Sequence, residues 1–299
     1  MNRFKAAKLA PSKATVDRRT VMLGMALSVS LQACGGGDDL PVADQTAQDG
    51  SDELEANRQY ALGTSTSGIK LNDWDLELPV NSKGKLSGEA LTLNDNKTHK
   101  VVKVENYFKV TSDGYLFYSP AFGAKTSSEA GGARCELKQD KEHRWNAFSD
   151  HRYLTLNQIL KSTQSGTKPR VVIGQIHDNT RNLVMIKYYG PSNATGTNDK
   201  GVIKAVFNSE PNAEEVVLDD AYKLGEKMTV IIGCKNKKGF VEYTKGKTAV
   251  SAWRTIDTNN VKGGTYFKIG VYPQEIGADT GGNSGARLTI STVKQSVVT

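Results

Sequence analysis

Arg134, Glu136 and Lys138 occupy alternate positions of the segment Arg134-Cys135-Glu136-Leu137-Lys138. Gln175 and His177 alternate in Gln175-Ile176-His177, and Lys268, Tyr272 and Gln274 share a parity within the segment from Tyr266 to Gln274. In an extended strand, residues i and i+2 point to the same face. Three such strands in one sheet would gather cations, amides, an imidazole and a phenol on one surface. That set suits an acidic polymer and a proton transfer, and it does not suit an apolar core.

Each group has a definite capability. Arg134 can grip a carboxylate through two parallel hydrogen bonds, and Gln175 can donate an amide hydrogen to the same group. The imidazole of His177 is ordinarily neutral in part near pH 7, so it can act as a base. The phenol of Tyr272 can give a proton to a leaving oxygen, and cations such as Arg134 and Lys268 nearby would favour its phenolate. Singly these residues have blander explanations. A strand Arg–Glu pair is ordinarily a surface salt bridge worth about 0–1 kcal/mol, a strand His is ordinarily scaffolding, and a strand Tyr packs with its hydroxyl at the rim. The joint pattern is what points to chemistry.

The elements that must position them read as short strands. Leu76-Glu77-Leu78 ends at Pro79; Tyr107–Val110 and Tyr115–Tyr118 flank a Ser112-Asp113-Gly114 turn; and Tyr153–Leu160 alternates. Strands follow at Arg170–Gly174, Leu183–Tyr189, Val202–Phe207, Met228–Ile232, Phe240–Tyr243, Thr265–Tyr272 and Arg287–Ser291, with a hairpin turn expected at Lys237-Lys238-Gly239. Helical periodicity is confined to a short piece near Ala213–Val217. Short strands with Gly-rich turns and no internal repeat predict an all-β sandwich or jelly roll.

The 299 residues are 37% hydrophobic and 24% charged, an ordinary globular composition. The net charge of +7 divides unevenly: residues 1–33 carry +5, residues 34–66 carry −6, and +8 remains on 67–299. A basic surface concentrates anionic partners. Residues 1–33 read as an export signal, with Arg18-Arg19 of twin-arginine type before the apolar stretch Val21–Leu31. That stretch is too short to span a bilayer. Leu31-Gln32-Ala33-Cys34 looks like a lipobox, so Cys34 is the expected site of lipid attachment in the cell envelope. Residues 34–66, acidic and poor in large apolar groups, read as a flexible linker. Cys135 is expected to face away from the charged surface and Cys234 toward the core; a disulfide and two buried free thiols are both open. Neither spacing suits a metal site.

Arg134-Cys135-Glu136-Leu137-Lys138, Gln175-Ile176-His177 and Tyr266-Phe267-Lys268-Ile269-Gly270-Val271-Tyr272-Pro273-Gln274 resemble, in that order, three segments of polysaccharide lyase family 7, the alginate lyases. The likeness extends over most of 67–299 and includes Trp74–Val80 and the Asp113-Gly114 turn. It implies a β-jelly roll with a substrate groove on its concave sheet. It also implies β-elimination of 1→4 uronate linkages with no cofactor or metal. In such a reaction the C5 carboxylate must be neutralised, the C5 proton removed and the C4 oxygen protonated. By resemblance Arg134 and Gln175 neutralise, Tyr272 is the acid, and His177 or Tyr272 is the base according to the epimer. Glu136, expected to orient Arg134, joins Lys138, Lys268 and Gln274 as substrate-side residues. Lys138 stands where the family has Arg, exchanging a planar fork for a point charge, and Cys135 where it has Ser or Thr. Ile176 accompanies activity on guluronate-containing blocks. The expected partners are alginate and, through Cys34, a membrane; the chain is expected to be a monomer without a nucleic-acid partner. A lipoprotein that binds acidic glycans without cleaving them is the alternative, but pure binding needs no acid and base together. A glycoside hydrolase would need two flanking carboxylates, and the motifs supply only Glu136.

Overall fold

A computed structural model of the chain describes residues 70–94, 102–128, 130–166, 168–179, 181–274 and 284–297. The expected signal, the linker and Cys34 lie outside the described residues. The strands are β1 (Trp74–Glu77), β2 (Thr92–Leu93), β3 (Phe108–Thr111), β4 (Gly114–Pro120), β5 (Cys135–Gln139), β6 (Arg152–Ser162), β7 (Arg170–His177) and β8 (Asn182–Tyr189). They continue with β9 (Lys200–Phe207), β10 (Glu214–Lys223), β11 (Met228–Lys235), β12 (Lys238–Lys245), β13 (Thr248–Thr255), β14 (Tyr266–Pro273) and β15 (Gly285–Val297).

Two antiparallel sheets form the sandwich. One has the order β10-β9-β8-β7-β14-β5-β1-β2 and the other β13-β12-β11-β6-β15-β4-β3. The late strands β14 and β15 each insert between earlier ones, so the chain crosses repeatedly between sheets, as a jelly roll requires. Alternation explains which face goes inward. Leu154, Leu156 and Leu160 of β6, Val230, Ile232 and Cys234 of β11, and Phe267, Ile269 and Val271 of β14 all enter one buried core. Lys268 and Tyr272 are of opposite parity and lie on the outer face of the eight-stranded sheet.

Two local expectations are corrected. The segment near Ala213–Val217 is not helical: Glu214–Val217 open β10, paired antiparallel with β9. Its run of β-branched Val216 and Val217 fits a pleated surface better than a helix. The β11–β12 turn falls at Asn236 and Lys237, both with positive φ (51° and 61°), the conformation a two-residue type I′ hairpin demands; Lys238 and Gly239 already belong to β12. Cys135 and Cys234 are free and buried, which settles the thiol alternatives against a disulfide.

Candidate active site

The three motif strands are neighbours in the order β7-β14-β5. Register sets their outward residues in rows. Lys268 stands opposite Gln175 on one side and Lys138 on the other, and Lys138 opposite Asp75 of β1. His177 stands opposite Tyr266, and Tyr272 opposite Val172. Between Ile269 and Tyr272, two residues of β14 face one of β7. Alternation within β14 is unbroken across this bulge, so Lys268 and Tyr272 stay on one face while the core-facing parity of β7 changes between Ile173 and Ile176. Gly270, at the bulge, has φ 139°, and a Cβ there would lie 2.3 Å from the carbonyl oxygen of Cys135 on β5. A side chain at 270 would therefore force β14 away from the strand that carries Glu136.

The expected cationic surface proves to be a balanced ionic network. Glu136 is fully buried. It accepts from Gln175 Nε2 at 2.8 Å and Arg134 Nη1 at 3.3 Å, and pairs with Lys268 Nζ at 2.9 Å. Lys268, also buried, reaches Glu77 Oε2 of β1 at 2.5 Å. Lys138 Nζ lies 3.5 Å from Asp75 and 3.6 Å from Glu77. Three cations thus face three carboxylates. Burial alone would raise the Glu77 pKa, but Lys268, Arg134 and Lys138 together hold it down at about 2. Burial would lower Lys268, and Glu136 and Glu77 keep it above its usual value. Glu136 and Lys268 spend their polar atoms on this network, so they hold Arg134 and Gln175 in place. Arg134 has a second constraint: its guanidinium carbon sits 3.8 Å from the centroid of the Tyr272 ring, a cation–π contact.

His177 is oriented from behind. Its Nδ1 hydrogen-bonds the carbonyl oxygen of Asp178, and the Tyr266 hydroxyl is 3.2 Å from the same nitrogen, the two rings stacked at 5.3 Å. A carbonyl oxygen only accepts, so Nδ1 carries the proton and Nε2 the lone pair. Burial, then the positive charge of Lys268, pushes the His177 pKa down to about 4. The imidazole is therefore neutral at pH 7. The buried Asp178 carboxylate accepts from the N–H groups of Asn179, Lys262 and Gly264 and from the Thr265 hydroxyl. It thereby fixes the backbone that holds His177.

The Tyr272 oxygen accepts the Gly131 N–H at 2.9 Å, which leaves its hydroxyl hydrogen to be donated elsewhere. A Cβ at Gly132 would lie 2.1 Å from the Pro273 carbonyl oxygen, so this glycine pair lets the loop lie directly on the end of β14. Gln274, half-buried just beyond β14, donates its backbone N–H to Arg170. Ile176, by contrast, is sealed in the core. Arg134, Glu136, Lys138, Gln175, Lys268 and Tyr272 thus converge, with His177 at one end of the same face. The motif reading missed Asp75, Glu77, Tyr266, Asp178 and Gly131. The alternation of Asp75 and Glu77 was a usable signal; the Gly131 contact, bridging distant segments, had none. Among the described residues no group of three or more His, Cys, Asp or Glu could hold a metal ion.

A two-sheet jelly roll bearing a neutral, oriented imidazole, a phenol and an anchored guanidinium on one sheet defines a protein built for acid–base chemistry on an anionic chain. The chain belongs to the alginate lyase family, whose model matches residues 69–297. It is thus a polysaccharide lyase acting on poly(uronate), a carbon–oxygen lyase. Solved structures of similar fold include the alginate lyase of Klebsiella pneumoniae (TM-score 0.63, 19% identity, covering 77% of this chain and 97% of that one). An alginate lyase from Pseudomonas aeruginosa has TM-score 0.59 and 22% identity, covering 77% and 100%. One from Corynebacterium sp. has TM-score 0.58 and 19% identity, covering 76% and 94%. No curated protein sequence matches.

Proposed function

We propose that the protein cleaves alginate by metal-independent β-elimination in a groove across the outer face of the eight-stranded sheet. Arg134 and Gln175 neutralise the C5 carboxylate, lowering the acidity barrier at C5 and stabilising the enolate as charge develops. Nε2 of His177 takes the C5 proton. Tyr272 protonates the departing C4 oxygen, and Lys138 and Gln274 contact sugars on either side. The observation that carries this reading is the orientation of His177: its Nδ1 is committed to a carbonyl, its ring is neutral at pH 7, and its other nitrogen is left to act.

Guluronate-containing blocks are the preferred substrate. In guluronate the C5 hydrogen and C4 oxygen leave from opposite faces, which suits a separate base and acid; in mannuronate they share a face, which suits one group doing both. A structure of another family 7 alginate lyase, 17% identical, holds the product GGG. The burial of Ile176 means that its influence on block preference acts through the path of β7. The protein is a monomer exported with a lipid on Cys34. Parallel digestion of polyguluronate and polymannuronate with chelator present, followed by near-ultraviolet absorbance and product sizing, tests the assignment. Faster release of unsaturated ends from polyguluronate, undiminished by chelator, is expected; faster cleavage of polymannuronate, or inhibition by chelator, refutes it.

A further inference from the structure

The outer face of the other sheet carries a second polar site. A cleft of about 890 Å³ opens there, lined among others by Asn157 and Lys161 of β6, Thr229 of β11, Thr244 and Lys245 at the end of β12, and Lys227. Register explains its floor: Thr229 pairs with Asn157 on one side and with Thr244 on the other. Asn157, Thr229 and Thr244 therefore form a row across three adjacent strands. Strands are about 4.8 Å apart, so the row spans roughly 10 Å, the length of two pyranose rings. The Thr229 hydroxyl donates to Asn157 Oδ1 at 2.8 Å, which fixes the row and leaves the Asn157 amide hydrogens free to donate. Thr289, also lining the cleft, is 93% buried, and its hydroxyl has no hydrogen-bond partner among the described residues.

The charges at the rim are unequal. Lys245 is engaged by Asp219 and Glu226, at 2.9 Å and 2.8 Å. Lys161 and Lys227 have no ion pair among the described residues, and Asp113 is the one acidic side chain of the lining. The catalytic sheet, by comparison, has already balanced its lysines and arginine against Asp75, Glu77 and Glu136. A row of hydroxyl and amide groups that both donate and accept, flanked by unpaired ammonium groups, matches sugar hydroxyls with a carboxylate beside them.

We propose that this cleft is a non-catalytic binding site for an acidic oligosaccharide segment, with uronate carboxylates on Lys161 and Lys227 and ring hydroxyls on the Asn157–Thr229–Thr244 row. The choice of uronate as occupant rests on the proposed substrate. The site would tether the polymer on the sheet opposite the one that cuts it.

Migration in gels containing alginate measures this on the full chain, with Tyr272→Phe added to stop cleavage. Lys161→Ala/Lys227→Ala is expected to weaken apparent affinity about threefold to tenfold, two exposed charge contacts' worth. Thr244→Val, which removes a hydroxyl but no charge, is expected to weaken it as well. In the otherwise wild-type enzyme the double variant should raise KM on polymer and leave kcat on a tetrasaccharide unchanged. Replacing Lys83 and Lys85, exposed elsewhere, should change nothing. Unaltered affinity in the double variant, or a loss from the lysines with none from Thr244→Val, would overturn the site. Failure of the wild type to generate unsaturated ends would instead overturn the catalytic reading, so the two failures are distinct.

Discussion

Replacing Lys268 by Met tests whether the ionic network holds the catalytic face together. Met nearly conserves the volume but deletes the ammonium that lies 2.5 Å from Glu77 and 2.9 Å from Glu136. Both carboxylates are left buried, with Lys138 and Arg134 as their remaining cations. Removing one partner of a buried pair costs about 3–5 kcal/mol, against a total stability of about 5–15 kcal/mol for a domain, so the variant folds but is weakened. The loss depends on pH. In the wild type, Glu77 is held at about 2, below its unfolded value. Its contribution is therefore present above about pH 4.5 and is lost as pH falls toward 2. Lys268, raised above its usual value, contributes at every pH below about 10.5. In the variant, Glu77 loses the nearest cation that holds its pKa down, so it protonates at higher pH and escapes the penalty. The deficit should thus shrink by about half between pH 7 and pH 4. Urea denaturation at the two pH values measures it. A deficit under about 1 kcal/mol at pH 7, or one equal at both, would refute the network as described.

Three further outcomes follow from the geometry. Because the His177 pKa lies at about 4, kcat/KM should hold level from pH 7 down to about pH 5 and fall near pH 4. Lys268→Met, by removing a positive charge near the ring, should move that limb upward, and a wild-type limb near pH 6.5 would contradict the placement of His177. Gly270→Ala should cost well over 2 kcal/mol in a thermal or denaturant melt, since its Cβ meets the Cys135 carbonyl at 2.3 Å. Gly246→Ala, with positive φ but open space around it, should cost about 1 kcal/mol; equal losses would refute the clash. Cys135 and Cys234 should resist a thiol reagent in the native protein and react on unfolding, and recovery of a Cys135–Cys234 disulfide would contradict their free state.

The sandwich was legible because β6, β11 and β14 alternate: one inward parity in each is enough to predict two faces. That Arg134, Gln175, His177 and Tyr272 share one face of neighbouring strands followed from parity together with the adjacency of β5, β14 and β7. The state of the charges was harder to read. Lys268 reads in sequence as an outward cation. It becomes a buried strut only because β1, over 190 residues earlier, brings Glu77 beside it. His177 likewise reads as a group near pH 6.5, and only its burial and Lys268 shift it. β10 was misread because Ala213–Val217 is too short for periodicity to separate helix from strand. The second cleft had no motif, since its row joins single residues of three strands.

The most direct test is the rate at which Tyr272→Phe and His177→Ala, each shown to be folded by its melting transition, release near-ultraviolet-absorbing ends from guluronate-rich alginate. A positioned acid or base contributes about 10²- to 10⁴-fold, so both variants should fall by at least a hundredfold while still binding the polymer. Turnover within a few-fold of the wild type in either variant would contradict the assignment of the phenol as acid or the imidazole as base.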